Sequence, residues 1–412
     1  MQYIISAEGV LSSTLEGPLA PHLASFAEHV SGLGYTLDSL QKQVRIAAFF
    51  SRWLQRNGIA LREVSSGHAQ RFLRHCNRRM LVRRGEAAAL RGLIEFLLRE
   101  KVIPAQKVPP ARLTAVEHCV QDYESYLRDE RVLARATIVN YVPFIREFLQ
   151  GRFGREHVKL SRLRAGDVVR FVQRQALRLH MRRAKLMTTA LRSFLQYTRY
   201  RGEVSLDLAA AVPPVANWSM SSVPRGIEPD QVRQLLASVD RATPIGRRDY
   251  AILLLLARLG VRSGEAASLE LDDIDWSLGL LSVRGKGGRR NELPLPADVG
   301  KAIAEYLRRG RPPSTSRRVF LRAKAPIRGF IGATGVGAVV QHCIRRAGIK
   351  APTHGAHQFR HGLAAQMLRK GASLSEIGDL LGHRHPQTTM IYTKVDLVAL
   401  RSLALPWPGS AP

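Results

Sequence analysis

"DYAILLLLARLG" at residues 249–260, followed by "DDIDWSLGLLSVRGKGGRRNELPLP" at 272–296, decides the fold of the C-terminal part of this 412-residue chain. The first stretch is apolar along its length and stops on glycine, which predicts a buried helix with a glycine at its C-terminal end. The second carries short alternating runs on either side of "GKGG", the pattern of a small antiparallel hairpin sheet. Helical periodicity returns from about residue 330, and "SLSE" at 373–376 is a capping box opening a helix that runs into "IGDLLGH". This segment is therefore mixed α and β.

Upstream the chain reads as helical and as two related pieces. "VIPAQKVPPAR" at 102–112 and "AVPPVANWSMSSVPRG" at 211–226 are proline-bearing joints, since proline removes a backbone donor and turns its neighbour away from helix. Between and before them, "VSSGHAQRF" at 64–72 matches "LRAGDVVRF" at 163–171, and "ALRGLIEF" at 89–96 matches "ALRSFLQY" at 190–197. The offsets are 99 and 101 residues, so residues 1–105 read as a duplicate of the domain that follows. In the second copy Phe171, Leu177, Leu191, Phe194 and Leu195 recur at helical spacing.

Charge limits the partners. The chain has 63 Lys and Arg against 33 acids, a net charge of +30, and 52 of the 63 are Arg. By segment the excess is +6 over 1–105, +10 over 106–220 and +14 over 221–412, so any of the three could face a polyanion. Arg170, Arg174, Arg178 and Arg182 fall four apart, which predicts one helical stripe, and Arg183, Lys185 and Arg192 extend the basic region. With Asp167 the sole acid between Arg162 and Arg201, DNA phosphate is the expected counter-charge. Cys76, Cys119 and Cys343 lack the spacing of a thiolate metal site or a disulfide framework. Neither a signal peptide nor a membrane span is read from the sequence, and a cytoplasmic location is expected.

Four short pieces of the third segment concentrate chemistry. "RLGVRSGEAASL" places Arg262 at a helix-to-helix turn with Glu265 three residues on; "VRGKGGRR" places Lys286 at a hairpin tip; "HQFRHGLAAQML" puts His357, Arg360 and His361 on one helical turn; "LGHRHPQTTMIY" supplies His383 and Tyr392. Breaking a phosphodiester without a metal requires a nucleophile, cations for the non-bridging oxygens and an acid for the leaving oxygen. Two arginines suit the oxygens, because a guanidinium matches phosphate bidentately and keeps its charge. A tyrosine can attack if neighbouring cations or a base activate it, and a lysine among cations can serve as the acid. His357 and His361 lie four apart as in some metal sites, but "HQFRH" lacks the glutamate of such a motif and Arg360 between them would repel a dication.

In this order and spacing the pieces resemble the tyrosine recombinase (phage integrase) family. Arg262 and Glu265 match its first arginine and the acid three places later, Lys286 its hairpin lysine, and His357, Arg360 and His361 its His-x-x-Arg-His box. Leu381, Gly382 and His383, followed by Tyr392 nine residues after the histidine, match its last box. Phe359 stands where the family usually has leucine, and "GVRSGE" departs from its more common Gly-Leu-Arg start.

The resemblance implies a multidomain architecture: two all-α helical (SAM-like) domains, then a mixed α+β catalytic domain with a small antiparallel sheet. The expected divisions are an additional helical domain at 1–105, a core-binding domain at 112–206, a linker at 207–224 and a catalytic domain at 225–405. It also implies roles. Tyr392 would attack the phosphate to leave a 3′-phosphotyrosyl link, Arg262 and Arg360 would clamp the oxygens beside His383, Lys286 would protonate the leaving oxygen, and His357 would assist the nucleophile's proton. Glu265 and His361 would support from behind. No cofactor, ATP or metal is expected. The implied partners are double-stranded DNA at specific recombination sites and a homo-tetramer assembled on it, alone or with related recombinases, with "VDLVALRSLAL" at 395–405 as the docking segment. Two alternatives stand beside site-specific recombination: relaxation of DNA in the manner of a type IB topoisomerase, and a non-catalytic DNA-binding accessory.

Overall fold

The computed structural model describes residues 3–4, 10–11, 16–78, 85–104, 113–154, 157–215, 224–285, 290–351, 353, 355–383 and 385–395. Two compact units emerge, one of Met1–Ala105 together with Ser222–Pro412, the other Gln106–Ser221.

In the first unit Tyr3–Ile4 (β1) pairs antiparallel with Val10–Leu11 (β2) ahead of four helices, Leu23–Gly32 (α1), Leu37–Arg56 (α2), Ser66–Arg78 (α3) and Glu86–Arg99 (α4). Their apolar faces close one core around Phe26, Val44, Phe50, Phe72, Leu90 and Leu97. The turn after α1 touches the C-terminal part of the same unit, where the Ile327 amide donates to the Leu33 carbonyl at 2.8 Å.

The second unit repeats this order with Ala115–Ser125 (α5), Arg135–Phe153 (α6), Ala165–Ala176 (α7) and Met181–Tyr200 (α8). A short 3-10 turn precedes the third helix in both, at Leu61–Glu63 and at Leu160–Arg162, and α3 and α7 begin at 66 and 165. Both pairs are 99 apart, as are the buried Val64 and Leu163 and the buried Phe72 and Phe171. Two details differ from the sequence reading. Leu177 is 90% exposed, because α7 stops at Ala176 and its periodicity ends there. The four spaced arginines do not share a helix: Arg170 and Arg174 lie on α7, Arg178 in the turn, and Arg182 on α8.

The C-terminal part is built on Pro244–Leu259 (α10), which follows Pro229–Ala237 (α9). Thr243 caps α10 by accepting from the Gly246 amide at 3.0 Å, and Ala251 through Leu256 are all buried, so this helix is apolar around its circumference. It ends on Gly260 at φ +59°, a left-handed residue that glycine adopts without the Cβ penalty. Ser263–Ser268 (α11) follows directly. Then come Ile274–Asp275 (β3), Leu280–Arg284 (β4) and Arg290–Pro294 (β5), an antiparallel sheet in the order β3-β4-β5. Leu281 pairs with Leu293 and both side chains are buried, as is Val283, so one face of the hairpin lies on the core. Ala297–Arg309 (α12), Ala333–Arg346 (α13), His357–Arg369 (α14), Leu374–Leu381 (α15) and Pro386–Thr389 (α16) complete it, followed by a 3-10 turn at Met390–Val395. The capping box read at 373–376 forms: the Ser373 hydroxyl accepts from the Glu376 amide at 3.2 Å, and the Ser373 amide donates to the Glu376 carboxylate at 2.7 Å.

Candidate active site

The glycine that ends α10 links the core to the chemistry. Its carbonyl accepts from the Arg360 guanidinium at 2.8 Å, and a second Arg360 nitrogen donates to the Leu381 carbonyl at the end of α15. Arg360 is 4% exposed, and burial, followed by the charge of Arg262, pulls its pKa down to about 10. A buried cation held by two carbonyls, with no carboxylate at ion-pair distance among the described residues, is poised for an anion.

Arg262 caps α11 and is braced differently. Glu265, itself buried, accepts from the Arg262 backbone amide and from its guanidinium, both at 2.7 Å. The carboxylate thereby takes one edge of the fork and leaves the rest of the guanidinium available.

Tyr392 is 1% exposed, in a small apolar cluster with Ala364, Ile377 and Leu381. Its phenol oxygen is 3.1 Å from Nδ1 of His361. The family resemblance implies a proton-transfer role for His357, but one turn earlier on α14 that ring stacks on His361 at a centroid distance of 6.2 Å. His361 is the residue that meets the phenol. Burial raises the Tyr392 pKa, with Arg360 and Arg262 pulling only partly the other way, so of the two activators the sequence leaves open, cations or a base, the cations alone do not suffice. His361 is depressed by burial, then by His357 and Arg360, and His357 by burial, then by Arg360 and Arg262. A neutral imidazole beside a protonated phenol is the outcome.

His383 follows Gly382, the left-handed residue ending α15, and its ring lies 6.4 Å from that of Tyr392 at an interplanar angle of 9°. Nδ1 of His383 is 2.8 Å from the hydroxyl of Thr389, which fixes the ring and leaves Nε2 free to turn to a ligand. Thr389 was not singled out from sequence, although it lies within the "TTMIYT" stretch. Lys286 lies outside the described residues. The strand beyond it reaches the site, since a Cβ on Gly382 would stand 2.8 Å from the Asn291 side-chain amide of β5.

Burial, then Arg360, Arg262 and His361, hold His383 down to about pKa 4. The unfolded chain, with histidine near 6.5, binds the extra proton first as pH falls, so this group's contribution to stability is complete above about pH 6.5 and is lost toward pH 4. The midpoint of thermal unfolding is expected to fall over that window, and His383→Gln to make the dependence shallower. A scan of unfolding temperature against pH for both chains checks this.

The basic residues of the second unit sort differently from the sequence reading. Asp167 pairs with Arg170 at 2.7 Å and with Arg152 at 3.0 Å, so Arg170 does have an acidic partner. Arg192 donates to the carbonyls of Val212 and Pro213 at 2.9 and 3.4 Å and thereby fixes the chain leaving α8. Arg183 lies over the Phe144 ring at 5.1 Å, while Arg174, Arg178, Arg182 and Lys185 are exposed.

The sequence profile of the phage integrase family matches residues 225–397, and that of the phage integrase N-terminal SAM-like domain matches 120–202. The putative integrase/recombinase y4rA of Sinorhizobium fredii is 57% identical over 411 residues, covering 100% of both chains. The chain belongs to the phage integrase family of tyrosine recombinases. Tyrosine recombinase XerD of Mycobacterium tuberculosis is 32% identical across 71% of this recombinase and 97% of its own length. The crystal structure of XerH site-specific recombinase bound to palindromic difH substrate, a post-cleavage complex, shares its fold at a TM-score of 0.56 and 19% identity, covering 72% of this chain and 90% of that one. As a tyrosine recombinase the protein breaks and rejoins DNA strands. No helix among the described residues is long and apolar enough to cross a membrane.

Proposed function

We propose that this recombinase is a site-specific enzyme, of integrase or transposase type, acting in the cytoplasm on double-stranded DNA as a homo-tetramer. Residues 225–405 carry the catalysis, 112–206 form the core-binding domain, 207–224 link the two, and 1–105 are an additional helical domain. The segment at 395–405 docks on a neighbouring protomer; 396–405 lies outside the described residues.

The phenol oxygen of Tyr392 attacks phosphorus while its proton passes to Nδ1 of His361. The bond from phosphorus to the 5′ oxygen breaks, Lys286 protonates that oxygen, and a 3′-phosphotyrosine remains. Arg360 and Arg262 bind the non-bridging oxygens with Nε2 of His383. Attack by another strand's 5′-hydroxyl reverses the sequence, so the bond energy is conserved and no ATP or metal enters. The observation that carries this reading is the 3.1 Å contact between His361 and Tyr392 beside the carbonyl-held Arg360.

His361→Ala is expected to slow single-turnover cleavage about 10²-fold or more, the range for loss of a general base, and His357→Ala to slow it less. Rate constants for both on a nicked suicide duplex decide between the rings. For the function as a whole, two duplexes carrying the sequences that flank the gene are incubated with the protein in EDTA without ATP. Exchanged products are expected. Relaxation of plasmid with no exchange would assign a topoisomerase instead.

A further inference from the structure

We infer that the exposed face of α2 is a DNA-backbone contact carried by the additional N-terminal domain. The inference rests on the reading that the chain acts on DNA, and deepens it by naming a surface on the domain that neither family profile covers.

Arg45, Phe49, Arg52 and Arg56 follow one another at steps of four, three and four, so they form a single stripe along α2. The opposite face, with Leu40, Val44, Ala47, Phe50 and Leu54, is buried. From Arg45 to Arg56 the stripe rises eleven helical steps, roughly 16 Å at 1.5 Å per step, or about five nucleotide steps at 3.4 Å. Among the described residues none of its three arginines has a carboxylate within ion-pair distance. Lys42, one turn earlier, is neutralised by Asp38 at 2.6 Å. Phe49 is 46% exposed, and the Arg52 guanidinium lies over its ring at 4.9 Å. The ring fixes the direction of that guanidinium, which reduces the ordering cost of meeting a phosphate.

The related second unit shows that the fold does not require this face. Helix α6 buries Val142, Ile145 and Phe148 where α2 buries Val44, Ala47 and Phe50, a constant offset of 98. The same offset places Pro143, Glu147, Gln150 and Gly154 opposite Arg45, Phe49, Arg52 and Arg56. The basic stripe is particular to the first domain. Each of the three segments carries a net positive charge, so duplex DNA supplies the stripe a stronger counter-charge than a second copy of this chain.

The test measures binding of the full-length chain to a labelled 60-base-pair duplex by fluorescence anisotropy from 50 to 200 mM salt. Each phosphate contact contributes about 0.9 to the salt slope. The double variant Arg45→Gln/Arg56→Gln is expected to lower the slope by about two and the affinity at 0.1 M salt by roughly 50-fold. Lys42→Gln is expected to change little. At saturating protein the double variant still forms the covalent adduct on a nicked suicide duplex, so failure of the α2 contact and failure of the active-site reading are distinguishable. Unchanged affinity and slope would overturn the inference, as would unchanged binding with loss of tetramer in sedimentation, which would make the face a protein contact.

Discussion

Tyr392→Phe is expected to leave a folded, DNA-binding protein that forms no covalent adduct and exchanges no strands, a loss of at least ~10⁴-fold relative to the parent. Phenylalanine keeps the ring that packs against Ala364, Ile377 and Leu381, so the cluster survives. What is lost is the oxygen 3.1 Å from His361, worth about 1 kcal/mol of stability by the usual net value of a hydrogen bond. Because burial raises the Tyr392 pKa, the phenol carries its proton at neutral pH and depends on the neighbouring imidazole to attack. Denaturing gels of a nicked suicide duplex give the adduct yield, and urea unfolding gives the stability.

Arg360→Lys is expected to damage both rate and fold. The guanidinium reaches the Gly260 and Leu381 carbonyls with two different nitrogens and still has N–H groups for a phosphate. An ammonium on a flexible stem cannot span the same three acceptors. Loss of the positioned fork is expected to lower the cleavage rate constant by about 10²–10³, the range for one lost transition-state donor set. One buried carbonyl left unpaired costs a further ~1–3 kcal/mol of folding stability. Arg262→Lys separates these effects, since Arg262 is about one-third exposed and its carboxylate brace survives in part. It should lose rate with little change in urea midpoint.

Much of the catalytic segment was legible because its signals are local. An all-apolar run that stops on Gly260 becomes a core helix with a left-handed end, and the alternation around "GKGG" becomes the β4–β5 hairpin. The Ser373–Glu376 box forms as read. Arg262 and Glu265 lie within one turn, so the contact between them is local.

Features depending on distant contacts or on an unmarked break were not legible. No proline or glycine separates α7 from α8 between Ala176 and Met181, so four evenly spaced arginines looked like one stripe and Leu177 like a core residue. The choice between His357 and His361 depends on where Tyr392, thirty-one residues beyond His361, comes to rest. Thr389 reaches His383 only because a short helix returns the chain on itself. Arg192 looked like a DNA contact, but the carbonyls it serves lie twenty and twenty-one residues away, at Val212 and Pro213.

The central claim is that Tyr392 becomes covalently joined to the broken strand. Trapping the protein on a nicked suicide duplex, digesting the adduct with protease and nuclease and sequencing the modified peptide by mass spectrometry tests it most directly. The account predicts a nucleotide attached through its 3′ phosphate to the tyrosine of the peptide containing "TTMIYTK". A nucleotide on any other residue, or strand breakage that leaves no adduct and needs a divalent metal, would contradict it.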